Sequence, residues 1–139
     1  MPSFSPAASV WAATAAPGPD LPAFTGERRA DVAIVGAGFT GLVAALTLAR
    51  GGASVIVVDM VEPGFGASGR NGGQVIPGLK DDPDTLDRVF GEATTAFAGG
   101  TADLVFSLID ELGIDCDPVR GGWIQASVKH LHLPRLESR

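Results

Sequence analysis

Asp31-Val-Ala-Ile-Val-Gly36-Ala-Gly38-Phe-Thr-Gly41 puts a G-x-G-x-x-G turn directly behind a continuous apolar strand and directly ahead of a helix-forming run. That order predicts the opening of a dinucleotide-binding βαβ unit. Gly36 permits the tight turn, Gly38 lacks the Cβ that would hold a pyrophosphate off the backbone, and Gly41 lets helix and strand approach. The helix starts at Phe39, so the unpaired N–H groups of Phe39, Thr40 and Gly41 and the positive end of the helix dipole face the phosphates.

A glycine motif alone is weak in a chain with 19 glycines among 139 residues, so its flanks decide. Gly51-Gly52 ends the helix after Leu48-Ala49-Arg50, and Ser54-Val-Ile-Val-Val-Asp59 reads as a second buried parallel strand closed by an acid. Asp59 stands at the separation from Gly36 expected of the carboxylate that accepts hydrogen bonds from the adenosine ribose. An acid there repels a 2′-phosphate, which argues against NADP. The bland alternative, an ordinary βαβ unit with a glycine-rich turn, has to account for strand, helix and acid all falling in place.

The next segment separates a flavin site from a nicotinamide site. No second helix starts after Asp59; the chain runs through Met60-Val-Glu-Pro-Gly-Phe-Gly-Ala-Ser68-Gly69-Arg70-Asn71-Gly72-Gly73-Gln74, a loop of glycine and short polar groups able to lay backbone N–H groups against a flat ligand. This run resembles the signature of FAD-dependent amine and amino-acid oxidases related to D-amino-acid oxidase, in the gamma-glutamylputrescine oxidase-like branch. The resemblance extends to Trp11-Ala-Ala-Thr-Ala-Ala-Pro with Leu21-Pro-Ala-Phe and Gly26, and to Arg120-Gly121-Gly122-Trp123-Ile124-Gln125.

That resemblance implies an α/β fold, the N-terminal part of a Rossmann-like FAD-binding domain, followed by the start of a substrate-domain β-hairpin. It implies FAD contacts from Ser68, Arg70, Asn71, Gly72 and Gly73, beside Gly36, Gly38, Phe39, Thr40, Gly41 and Asp59. Arg70 offers a planar fork of donors to phosphate or carboxylate oxygens, and Gly72 and Gly73 let backbone touch a ring system; the alternative for Arg70 is a solvated surface arginine. The implied reaction is oxidation of a CH–NH group in a small amine or amino acid, with imine hydrolysis and hydrogen peroxide as product. Residues 31–59 alone would suit an NAD-dependent dehydrogenase, and a third reading is a truncated chain without activity.

Length bounds these expectations. A chain of 139 residues holds one domain, and no later segment repeats the strand, glycine turn and helix. The expected layout is an extended arm over 1–30, the FAD-binding βαβ and helical region over 31–113, the start of a substrate-domain sheet over 114–126, and a tail over 127–139. The catalytic residues are expected in a part of the protein that this sequence does not contain.

With 10 basic and 16 acidic residues the formal charge is −6, which disfavours nucleic acid and anionic membrane as partners. The run from Val32 to Ala49 is almost long enough for a membrane span, yet its glycines fall in a turn and Asp31 and Arg50 flank it. The start lacks the pattern of a secretory signal, and Pro2, Pro6, Pro17, Pro19 and Pro22 suggest an extended arm. A single cysteine, Cys116, fits a reducing, cytoplasmic setting and reads as a buried small hydrophobe. His130 and His132 lack a third metal ligand.

Asp82-Pro83-Asp84-Thr85 reads as a helix start with Asp82 at the N-cap. Leu86, Val89, Phe90 and Ala93 then share a face, and after an interruption at Gly99-Gly100 a second apolar stripe of Leu104, Val105, Leu108, Ile109 and Leu112 ends at Gly113. Residues 114–118 and 122–126 read as short strands.

Overall fold

A computed structural model describes residues 9–122 together with Ile124, Ala126, His130, Leu133 and Pro134. The chain divides into two compact units, Met1–Gly73 and Gln74–Arg139.

The first unit is built on the βαβ segment. Strand β1 (Val32–Val35) pairs in parallel with β2 (Val55–Val58), in the register Val32 to Val55 through Val35 to Val58. The β-branched residues of these runs suit a pleated sheet. Between them α2 (Phe39–Arg50) packs on both strands and stops at Gly51, as the Gly51-Gly52 pair predicts. The strands are aligned at their starts by Asp31 and Ser54: the Asp31 carboxylate accepts from the Ser54 amide (2.9 Å) and hydroxyl (2.7 Å). The Ser54 carbonyl in turn accepts from the amides of Asp31 and Val32. These bonds hold the Asp31 carboxyl below its ordinary range, the Ser54 hydroxyl being the largest cause.

The arm ahead of β1 is not wholly extended. A short helix, α1 (Val10–Thr14), begins at Ser9, whose hydroxyl accepts from the Ala12 amide at 3.0 Å. Pro2 and Pro6 lie outside the described residues, and from Pro17 the arm is irregular as expected; between them Ser9 is a good N-cap and the alanines after Trp11 are strong helix formers.

The second unit is a helix pair, α3 (Pro83–Phe90) packed on α4 (Glu92–Leu112). Asp82 is the N-cap of α3, its carbonyl accepting from the amides of Thr85 and Leu86. The break between the helices lies at Gly91, not at Gly99-Gly100. Gly91 adopts φ 86°, ψ 154°, which an L-residue rarely enters. Gly99 and Gly100 stay inside α4, where buried Ala98 and the Thr101 hydroxyl, donating 2.7 Å to the Ala98 carbonyl, flank them. Gly113 ends α4 in the left-handed region, with the Ile114 amide donating to Ile109 and the Gly113 amide to Asp110. This is a Schellman arrangement, at the glycine where the helix was expected to end.

Burial corrects two expectations and backbone conformation a third. Ala37, Leu86 and Ala98 are buried, whereas Val89, Phe90, Leu104, Val105 and Leu112 are exposed, so the apolar stripes of α3 and α4 are mostly uncovered by the described residues. Cys116 is an exposed free thiol, not a buried hydrophobe, because the chain leaves the α4 cap as irregular backbone. Residues 114–118 form no strand; Asp117 takes φ 48°, which breaks an extended run, and Pro118 offers no amide to a ladder. Of 122–126, Gly122, Ile124 and Ala126 are not in a strand, and Trp123 and Gln125 lie outside the described residues.

Candidate functional site

The glycine turn is held by its neighbours on every side. Gly36 has φ 107° and its amide donates to the Val58 carbonyl at 2.8 Å, which closes the turn against the end of β2. The Ala37 amide donates to Oδ2 of Asp59 at 2.7 Å, and the Ala37 carbonyl accepts from the Gly64 amide at 2.9 Å. Asp59 Oδ1 also accepts from the Val61 amide at 3.1 Å. These amides hold the Asp59 carboxyl below its ordinary range, Ala37 contributing most and Val61 next. Asp59 is therefore an anion at the strand end, facing the turn.

Gly38 is the N-cap of α2 in extended conformation, and the first helical bond runs from the Leu42 amide to its carbonyl (2.9 Å). The amides of Phe39, Thr40 and Gly41 precede that bond and have no helical acceptor. A Cβ on Gly41 would overlap the Gly36 carbonyl oxygen and lie 3.3 Å from Cγ2 of Ile34, so the third glycine is required by helix-to-strand packing. A Cβ on Gly38 would lie 2.9 Å from Oγ of Ser68. That hydroxyl accepts from the Phe39 amide at 2.9 Å, bringing the loop residue onto the helix N-terminus.

The loop that carries Ser68 is internally braced. Its short helical turn Ala67–Gly69 requires glycine at its end, because a Cβ on Gly69 would overlap the Gly64 carbonyl. The Asn71 side chain bridges the next bend, Nδ2 donating to the Ser68 carbonyl and Oδ1 accepting from the Gly73 amide, both at 2.7 Å. Gly72 lies between these anchors and is exposed. The Arg70 guanidinium carbon lies 4.6 Å from the centre of the Phe65 ring, a cation–π contact.

The structure thus brings Gly36, Gly38, Phe39, Thr40, Gly41, Asp59 and Ser68 together, with Asn71 and Gly73 continuing from Ser68. Arg70 has its partner in Phe65. Sequence reasoning missed three participants. Ala37 acts through its amide, which no side-chain pattern reports; Phe65 is a single ring inside a glycine loop; Trp11, whose Nε1 donates to the Asn71 carbonyl at 2.8 Å, is remote in sequence. A shallow depression lined by Phe24, Gly26, Glu27, Arg28 and Arg29 contains none of these residues.

Among the described residues no cluster of three His, Cys, Asp or Glu side chains could hold a metal ion, and no helix is long and apolar enough to cross a membrane. His132 lies outside the described residues.

The sequence profile described as FAD dependent oxidoreductase matches residues 31–139. The chain is 38% identical over 130 residues to the probable oxidoreductase OrdL of Rhizobium meliloti, covering 91% of this chain and 30% of that protein. It is 36% identical over 113 residues to the gamma-glutamylputrescine oxidoreductase of Escherichia coli, covering 78% of this chain and 26% of that protein. It is 40% identical over 105 residues to the probable oxidoreductase OrdL of Haemophilus influenzae, covering 73% of this chain and 24% of that protein. The chain therefore spans under a third of the length of these relatives. No solved structure matches it.

Proposed function

The chain belongs to the FAD-dependent oxidoreductases, and on that premise we propose that it supplies the nucleotide-binding part of an oxidase acting on the CH–NH group of a small amine or amino acid. The observation that carries the substrate class is the likeness to gamma-glutamylputrescine oxidoreductase, which runs through the glycine turn and the Ser68–Gln74 loop.

The residues present fit FAD. The helix N-terminus offers the Thr40 and Gly41 amides to pyrophosphate oxygens, and the bare Gly38 backbone lets them approach. Ser68 accepts from Phe39 through its oxygen and keeps its own O–H to donate. Each Asp59 oxygen has a second lone pair for a ribose hydroxyl beyond the amide it accepts from. Asn71, Gly72, Gly73 and the Arg70 guanidinium would follow the cofactor from pyrophosphate towards its ring.

Bound FAD supplies a two-electron acceptor for the hydride leaving the substrate carbon, and dioxygen takes the pair on with two protons as hydrogen peroxide. The substrate, having also lost its N–H proton, is an imine that water cleaves to a carbonyl compound and ammonia or an amine. This chain's own residues bind and orient the nucleotide. A cytoplasmic setting and the absence of nucleic-acid or membrane partners are part of the proposal, supported by the acidic balance and single cysteine.

The test is a chimera in which residues 1–126 replace the matched segment of the Escherichia coli relative. Yellow protein that releases peroxide from gamma-glutamylputrescine is expected. Folded, colourless protein would count against the cofactor reading, and a yellow protein inert towards every amine against the substrate class.

A further inference from the structure

Trp11 grips two points of the cofactor loop at once. Its indole Nε1 donates to the Asn71 carbonyl at 2.8 Å, and its ring fills the space in front of Gly73, where a Cβ would lie 2.8 Å from Cη2 and Cζ2. Gly73 has φ 72°, so the backbone there needs glycine on two counts. From Asn71 the bonding continues through its side chain to the Ser68 carbonyl and from the Ser68 hydroxyl to the Phe39 amide. An unbroken path thus links α1 to the N-terminus of α2.

A helix of five residues has no stability of its own in water, so α1 and the loop hold each other. Indole is the one side chain that joins a large planar ring to a donor without an acceptor, and both features are engaged. We infer that Trp11 is a positioning residue of the FAD site: α1 is a latch that fixes Asn71–Gly73 and, through Asn71, keeps Ser68 on the α2 N-terminus. This rests on the FAD reading above, since the loop's orientation matters only to a ligand lying against it.

The chain has two tryptophans, so a Trp123→Phe background leaves Trp11 as the sole emitter. There, without FAD, Gly73→Ala forces a Cβ into the indole and is expected to red-shift Trp11 emission; unchanged emission overturns the latch. With FAD, Trp11→Phe stays aromatic but loses the Nε1 donor and the Cη2–Cζ2 edge that faces Gly73. It is expected to raise the FAD dissociation constant roughly fivefold, the scale of one lost hydrogen bond, and to alter the visible flavin spectrum, with parent-like circular dichroism. Parent-like affinity and spectrum in Trp11→Phe would overturn the positioning role. The FAD measurements are made in the chimera described above: a chimera that takes up no FAD fails the cofactor reading and the positioning role with it, and the emission experiment on the chain still decides the latch by itself.

Discussion

The Asp59 carboxylate lies 2.7 Å from the amide nitrogen of Ala37, so the acid that closes the second strand also braces the glycine turn that follows the first. Ala37 is one of the buried residues of the chain, and fixing its amide fixes the direction in which Gly38 and the first helical amides point. The residue expected to read ribose is thus also a structural strut of the glycine turn, and its substitution should register in both binding and stability.

Asp59→Ala removes two acceptors that serve Ala37 and Val61 as well as the negative charge at the end of β2. FAD affinity should fall by about 1.5 to 3 kcal/mol, the scale of charge-assisted hydrogen bonds. Asp59→Asn keeps one carbonyl acceptor and should lose less. Flavin fluorescence titrations of the three proteins check the order; equal affinities would remove Asp59 from the site.

The first and last helix-side glycines should separate folding from binding. Gly41→Ala drives a Cβ into the Gly36 carbonyl, backbone against backbone, and should cost about 1 to 3 kcal/mol of stability as overpacking does. Gly38→Ala meets only the Ser68 hydroxyl, which can rotate away. Its denaturation midpoint should stay near the parent's while FAD binding weakens, because both the Ser68 bond to Phe39 and the phosphate approach are disturbed. A larger loss of stability in Gly38→Ala than in Gly41→Ala would contradict the packing described here.

Two carboxylates give the fold an acid limit. Asp31 and Asp59 titrate below the ordinary 3.8 because they accept hydrogen bonds in the folded chain. The stability they contribute is therefore complete above that value and disappears as pH falls through their lower folded-state values. Both groups are exposed to solvent, so each contribution is small. Urea midpoints measured from pH 7 down to pH 2 should be level and then fall, and the double variant Asp31→Asn, Asp59→Asn should start lower and show a shallower fall. An acid loss of equal depth in that variant would place its cause elsewhere.

The βαβ unit was legible because local and tertiary signals agree there: glycines at the turn, a paired glycine stop at Gly51-Gly52, and β-branched runs on either side. The Ser68 loop was legible as a loop from its glycines and short polar residues, but not its bracing, since the backbone partners that the Ser68 and Asn71 side chains bind are set by the fold. The helices of the second unit were found but divided at the wrong glycine. Gly91 needs a backbone angle that only glycine takes readily, whereas Gly99-Gly100 keeps helical geometry, and a sequence shows both merely as glycine.

That difference is measurable. Gly99 and Gly100 have nothing within 4 Å of a would-be Cβ and no positive φ, so alanine at either position should stabilise α4 by about 0.5 to 1 kcal/mol. Gly91→Ala should destabilise, because φ 86° is strained for any side chain. Thermal unfolding of the three variants decides it, and a destabilised Gly99→Ala would show that the helix is interrupted after all.

The chain assayed by itself should hold FAD weakly and release no peroxide from amines. Its sheet consists of two strands among the described residues, so each strand keeps one unpaired edge, and such edges recruit other chains. Val35 is 88% exposed and Phe39 66%, which places uncovered apolar surface beside the cofactor turn itself. Water that reaches the flavin ring also weakens the electrostatic control on which hydride transfer depends. Light scattering of the purified chain should show self-association that rises with concentration, and peroxide assays with putrescine derivatives and amino acids should stay at background after FAD is added. Robust turnover by a monomeric chain would overturn this expectation and would require the amine-binding groups to be sought among these 139 residues.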